Sequence, residues 1–247
     1  MSDKLNAKDN PLGQDLKPGD AHYRAFIGPP EDYDLVSAMV FNLLTCIGLR
    51  QHHKVLDVGC GSLRYGRLLI PYLSKGGYHG VEPNEWLVNE GIRNELGNDI
   101  IRLKEPKFSF RADLSEFPES LQIDFAVAQS IFSHTGEGML KEWLDQIKFH
   151  LADTGVLLAT FIIGDQEEEA KGWIYPGCVK FKPWAIKQTA LEYGLTMKML
   201  NWKHPRQSWI ALAREKFDWS LIGDKGNIGW NAVVRKKASD KMKSLKL

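Results

Sequence analysis

The chain has 247 residues, 43% of them hydrophobic, which suits one α/β unit with additions and a large core. Its 32 basic and 31 acidic residues leave a formal net charge of +1, so bulk electrostatics makes no case for a nucleic acid or an anionic membrane. Cys46, Cys60 and Cys178 are isolated and odd in number; they suggest neither a disulfide framework nor a zinc site, and a reducing, cytoplasmic location is the default expectation.

Residues 1–20 read as a mobile polar arm without an apolar signal core. The longest uncharged apolar stretch, Val36 to Leu49, is too short to span a bilayer. After the turn Gly28-Pro29-Pro30, a cap helix is predicted over 32–49. There Leu35, Val36, Met39, Val40, Leu43, Leu44 and Ile47 recur at three- and four-residue spacing and give a broad apolar face.

Lys54 to Arg67, KVLDVGCGSLRYGR, then reads as a buried strand, a glycine turn and a helix resuming near Ser62. Val55, Leu56 and Val58 suit a central parallel strand. Asp57 stands at its C-terminal end, and Gly59 and Gly61 let backbone approach a ligand. A second strand over 78–81 runs into Glu82-Pro83, about twenty residues after the turn, where an acid takes ribose hydroxyls.

A helix over 85–96 and a strand near 108–110 lead to Asp113 and Leu114, and a fourth strand over 123–128 runs into Gln129-Ser130-Ile131-Phe132-Ser133-His134. A helix over 138–151 and a strand over 156–163 continue an alternation that predicts a parallel, doubly wound sheet. The segment 165–182 opens with an acidic run and carries Trp173 and Tyr175, which reads as a lid or substrate loop. A helix over 183–193 and strands near 195–202 and 208–214 follow. The extension 216–247, with Arg235, Lys236, Lys237, Lys241, Lys243 and Lys246, reads as a solvated basic terminus.

With the glycine turn and Glu82 in view together, the chain resembles the class I S-adenosylmethionine-dependent methyltransferase family. Asp57, Gly59 and Gly61 match the first three fixed positions of its acid-x-Gly-x-Gly-x-Gly motif; Leu63 occupies the fourth, a departure. The resemblance implies a single domain over 21–215 with a Rossmann-like, doubly wound, seven-stranded sheet, mostly parallel with an antiparallel strand near the C-terminus. It implies S-adenosylmethionine as cofactor, with Asp57, Gly59, Cys60, Gly61 and Arg64 around its methionine part. Glu82 and Pro83 would then meet the ribose, Asp113 and Leu114 the adenine, and Gln129 would line the end of the fourth strand. A nicotinamide dehydrogenase is disfavoured, because the third glycine of its turn would fall on Arg64 and no Tyr-x-x-x-Lys pair occurs.

In such a fold the acceptor faces the C-terminal ends of the fourth and fifth strands, which makes His134 the candidate base; a structural histidine bonding a loop carbonyl is the alternative. Tyr23, Ser130, Trp173, Tyr175 and His204 are candidate acceptor contacts, with core or lid packing the alternative for the aromatics. Asp113 also reads as a helix cap with Glu116. The Asn/Asp-Pro-Pro-aromatic tetrad of amine-directed nucleic-acid methylases is replaced by Gln129-Ser130-Ile131-Phe132, and no Pro-Cys nucleophile occurs. The expectation is therefore a small or sugar-like acceptor methylated on oxygen, with no nucleic-acid partner, no metal and an open oligomeric state. A cofactor-binding regulatory or assembly protein without turnover, and aminopropyl transfer, are the competing readings.

Overall fold

In the computed structural model the described residues are 10–165, 170–223 and 226–228. The helix α1 (Tyr33–Cys46) precedes β1 (Val55–Val58), α2 (Gly66–Tyr72), β2 (Tyr78–Val81) and α3 (Glu85–Gly91). A π-helical turn, Ile92–Leu96, leads into α4 (Asn98–Lys104) and β3 (Lys107–Ser109). Then come β4 (Ile123–Ala128), α5 (Glu137–His150), β5 (Leu151–Ile163), β6 (Lys180–Phe181), α6 (Pro183–Glu192), β7 (Thr196–Met199) and β8 (Ser208–Ala213).

The strands run β3-β2-β1-β4-β5-β8-β7 across one sheet, and β8 alone is antiparallel to both its neighbours. These are the seven strands expected from the sequence. An eighth, the two-residue β6, adds a short parallel pairing at Ile162 and Ile163 of β5. The order reverses between β1 and β4, and open α/β sheets take ligands at such a switch point, outside the carboxyl ends of the strands.

Both faces of the sheet are covered, so successive residues of the central strands enter opposite cores. Val55, Phe125, Val127, Trp209 and Ala211 pack with Val40, Leu43, Leu44 and Leu69 of α1 and α2. Leu56, Val58, Ala126, Ile210 and Leu212 pack with Leu144, Ile147 and Ile186 of α5 and α6. Each large apolar side chain so buried contributes about 1.5–3 kcal/mol.

Several local expectations shift. The helix after the glycine turn begins at Gly66, not near Ser62, because Leu63 adopts a left-handed φ of +60° and breaks the helical run. The helix expected over 85–96 ends as a regular helix at Gly91 and continues as the π turn, and α4 has no fully buried side chain to signal it. Residues 1–9 of the expected arm lie outside the described residues; 10–20 form successive, mostly exposed turns in which only Gly13 is buried, where a Cβ would lie 2.6 Å from the His22 ring. Most of the basic extension lies outside the described residues, as does 166–169 of the expected lid.

The segment following those turns is tied down by charge. Arg24 donates to Glu95 of the π turn at 2.6 Å, Arg67 of α2 reaches the same carboxylate at 3.0 Å, and Tyr23 donates its hydroxyl to it at 2.9 Å. The Arg24 guanidinium lies over the Tyr33 ring, 4.4 Å from its centre. A carboxylate largely withdrawn from water is thereby paired twice, the condition under which a buried charge is tolerated.

Gly91 sits where α3 crosses the turn, and a Cβ there would overlap the Ser62 carbonyl, whose carbon would be 2.7 Å away. Because backbone cannot swing aside as a side chain does, Gly91→Ala is expected to lose about 1–3 kcal/mol of stability, read from the urea unfolding midpoint. An unchanged midpoint would show that helix and turn separate freely.

Candidate active site

Where β1 ends, Gly59 and Gly61 take left-handed φ values of +68° and +53°. The turn is closed by Cys60 N–H donating to the Val81 carbonyl at 2.9 Å and Leu63 N–H donating to the Cys60 carbonyl at 2.9 Å. Glycine suits the φ and the space: a Cβ on Gly61 would lie 2.9 Å from the Ile27 side chain, and one on Gly59 would displace the methyl end of Ile131.

Glu82, following β2, accepts from Gly61 N–H at 3.1 Å and from the backbone and side-chain N–H groups of Asn84 at 2.9 and 2.8 Å. Burial raises its pKa against the opposing pull of Asn84 and Gly61. The acid is thus fixed at the rim of the turn, facing a cavity of about 480 Å³, within the range of small-molecule sites.

Of the residues singled out in the sequence, Gly59, Cys60, Gly61, Arg64, Glu82, Pro83, Gln129, Ser130, Trp173 and Tyr175 line this cavity. Arg64 is 6% exposed, donates to Gln129 Oε1, and has no partner for its Nε. Burial lowers its pKa. Ser130 holds a left-handed φ of +58°, with its N–H donated to Thr160 Oγ1 at 2.7 Å.

The remaining predicted residues stand elsewhere. Asp57 does not reach the cavity: it is fully buried below the turn, accepting hydroxyl protons from Tyr65 and, at 2.6 Å, from Tyr78. It braces the turn, and its burial pushes its pKa up to about 7 although both hydroxyls pull the other way. Asp113 is turned onto Arg111 and Ser115, which hold its pKa well below the usual carboxylate range, and Leu114 is in the core; Ala112 takes their place in the cavity wall. Asp113 caps a turn, with no helix following it.

Tyr23 belongs to the Arg24–Glu95 cluster and does not line the cavity. His204 also lies outside the lining; its Nδ1 accepts from Gln207 N–H at 3.0 Å, and burial together with Arg64 and Arg206 lowers its pKa to about 4. His134 stands behind the wall, its ring edge-on to Trp173 and Tyr175 and its Nδ1 2.6 Å from the Gly177 carbonyl. The imidazole braces a loop, as the alternative reading of that residue had it, and burial lowers its pKa.

That loop is the roof. Ile174 N–H donates to the His134 carbonyl and Val179 N–H to the Ser133 carbonyl, at 2.9 and 2.8 Å, while the Tyr175 hydroxyl donates to the Phe26 carbonyl. Phe26 and Ile27 complete the roof from the N-terminal side, and Phe26 meets Trp86 edge to face at 5.2 Å. These liners and Ile131, Met139 and Trp143 were not anticipated. Met139 and Trp143 share one face of α5 at i, i+4 spacing, a signal present in the sequence but indistinguishable there from core packing. A second, shallower cleft among Phe117, Phe149 and Arg214 has no glycine turn or cradled acid.

Residues 56–157 match the family model of a methyltransferase domain. Magnesium protoporphyrin IX methyltransferase from Synechocystis PCC 6803, solved with bound SAM, is similar in fold: TM-score 0.59 at 14% identity, over 87% of this chain and 100% of that one. An O-methyltransferase family protein from Burkholderia thailandensis gives a TM-score of 0.59 at 12% identity, over 87% of this chain and 64% of that one. An S-adenosylmethionine-dependent methyltransferase from Clostridium acetobutylicum gives 0.52 at 13% identity, over 74% and 92%.

The Asp57 clamp has a measurable signature. Its folded-state pKa is raised above the unfolded value, so the unfolded state releases the proton first, and the stability this proton confers is lost as pH rises from about 4 to about 7. His79 and His204, both lowered to about 4, act with the opposite sign over part of that range, so the comparison must be with a variant. The stability difference, wild type minus Asp57→Asn, is expected to fall across that window in denaturant titrations at stepped pH. A constant difference would show that Asp57 titrates normally.

Proposed function

We propose that this chain is a class I S-adenosylmethionine-dependent methyltransferase and that it methylates a small molecule on oxygen, inside the roofed cavity above β1 and β4. The observation that carries this reading is the cradled Glu82 in a roofed cavity whose lining also holds Arg64, Gln129, Ser130 and aromatic rings. A cavity of this kind favours a small acceptor over a nucleic acid.

The residues present fit the cofactor. Glu82 receives the ribose hydroxyls, and the glycine turn, where no Cβ could be placed, lets backbone approach the methionine part. Arg64, a buried cation with no acid partner among the described residues and with an unpartnered Nε there, would pair with the cofactor carboxylate, beside Gln129. Ala112, Ile131 and Met139, which line the cavity, would flank the adenine. When bound, S-adenosylmethionine supplies an electrophilic methyl group on a sulfonium.

The chain's own contribution is positioning and exclusion of water. Phe26, Trp173 and Tyr175 wall the acceptor, Ser130 orients it, and His134 holds the roof loop in place.

Two variants test this division of labour. Glu82→Ala is expected to weaken S-adenosylhomocysteine binding by about tenfold or more in calorimetry, the effect of losing hydrogen bonds to a charged group. Equal affinity would remove Glu82 from the ribose. His134→Gln keeps a donor for the Gly177 carbonyl and should hold turnover within about tenfold of wild type. Loss of a general base would instead cost about 10²–10⁴-fold and would restore His134 to the chemistry.

A further inference from the structure

On the reading that this cavity is a methyl-transfer site, we infer that the acceptor enters as an oxyanion, a carboxylate on a flat apolar body. Its recognition falls to the Ser130 hydroxyl, with Gln207 as a positioning residue.

The Ser130 Oγ accepts from Gln129 Nε2 at 2.6 Å and from Gln207 Nε2 at 3.0 Å. The Gln129 amide is oriented by Arg64, which donates to its Oε1 and so turns the Nε2 toward Ser130 and toward His204 Nε2, 3.0 Å away; His204 Nδ1 is itself occupied by backbone N–H groups. Gln207 is held from the other side, its Nε2 also 3.1 Å from Ser133 Oγ and its backbone N–H bonded to His204. A hydroxyl has two lone pairs and one proton. With both lone pairs facing amide nitrogens, and with Gln207 Oε1 turned away and buried without a partner among the described residues, Ser130 has its proton to offer the cavity, where a hydrogen-bond acceptor would meet it.

The other polar groups of this half agree in sign. Arg64, paired with the cofactor carboxylate when the cofactor is bound, brings no acid to the acceptor, and the Tyr175 hydroxyl is spent on the Phe26 carbonyl. Glu82 is occupied at the far end, and Asp57 and His134 stand outside the lining. Among the described residues this half therefore presents donors and rings, with no group placed to remove a proton. A neutral alcohol must lose one, whereas a carboxylate, with a pKa of about 4, is ionised at neutral pH. The nearly parallel rings of Trp173 and Tyr175, 6.2 Å apart, provide the wall against which a flat body lies.

The step balances without a base. A carboxylate oxygen gives an electron pair to the sulfonium methyl carbon, the C–O bond forms as the C–S bond breaks, and sulfur keeps the bonding pair. An anion and a cation become a neutral methyl ester and a neutral thioether, which a low-dielectric aromatic cavity favours.

The test uses the full chain loaded with S-adenosylhomocysteine and calorimetry of three matched pairs: benzoate and benzyl alcohol, phenylacetate and 2-phenylethanol, indole-3-acetate and indole-3-ethanol. At least one acid is expected to bind tenfold or more tightly than its alcohol, and to yield its methyl ester when S-adenosylmethionine is supplied. Ser130→Ala should lower that acid's affinity about tenfold. Gln207→Glu, nearly isosteric but able only to accept, draws the Ser130 proton away from the cavity and should do the same; neither variant should move S-adenosylhomocysteine affinity. No acid binding more tightly than its alcohol, or variants that leave acid affinity unchanged, would overturn the inference. Failure to bind S-adenosylhomocysteine would instead overturn the methyltransferase reading itself.

Discussion

A carboxylate with no contact to solvent, Asp57, receives two tyrosine hydroxyls, one from the turn that follows its own strand and one from β2 beside it. The same residue thus joins three pieces of backbone: β1 through the chain, the glycine turn through Tyr65, and β2 through Tyr78. Everything at the carboxyl edge of the sheet takes its position from that junction. Glu82 lies one residue past β2 and reaches back to Gly61, so its place depends on how β2 and the turn are held together. Buried ionisable groups are costly unless fully bonded, and here both hydroxyls are committed to one acid.

The roof is built on a different principle. It combines two segments far apart in sequence, 26–27 and 173–175, which meet through the Tyr175 hydroxyl and the Phe26 carbonyl. Each is anchored away from the cavity, the first by Arg24 and Glu95, the second by backbone pairing to 133–136 and by the His134 imidazole. The floor is fixed by short-range hydrogen bonds within βα units, whereas the roof rests on long-range contacts that fold late in any scheme where loop closure has to precede reward.

That distinction governs what the sequence could disclose. The central strands were readable because burial on both faces demands unbroken apolar runs such as Phe125 to Ala128, and Glu82 because its distance from the glycine turn is set by one βαβ unit. Asp57 was read as a ligand because position along a strand tells which end a residue occupies but not its depth. Placed one layer below the turn, it has no path to the cavity. Asp113 and His134 were drawn to the site by the same kind of argument. Asp113 is claimed by Arg111 and Ser115 nearby, and His134 by a carbonyl 43 residues away, which no periodicity can show. Phe26, Met139 and Trp143 carried apolar patterns that a sequence cannot tell from core packing.

Leu63, where the family motif has its last glycine, retains the backbone angle a glycine would supply, with φ at +60°, while its side chain is fully buried among α2 and the first core. Two demands on this position oppose each other. Glycine would relax the backbone but leave a hole in the core, and a β-branched residue would fill the hole only by deepening the backbone conflict. The residue is locally frustrated, held in a conformation its own propensity disfavours by neighbours on every side. The shape of the turn is therefore a property of its packed surroundings, and it survives the loss of the letter by which such turns are usually recognised.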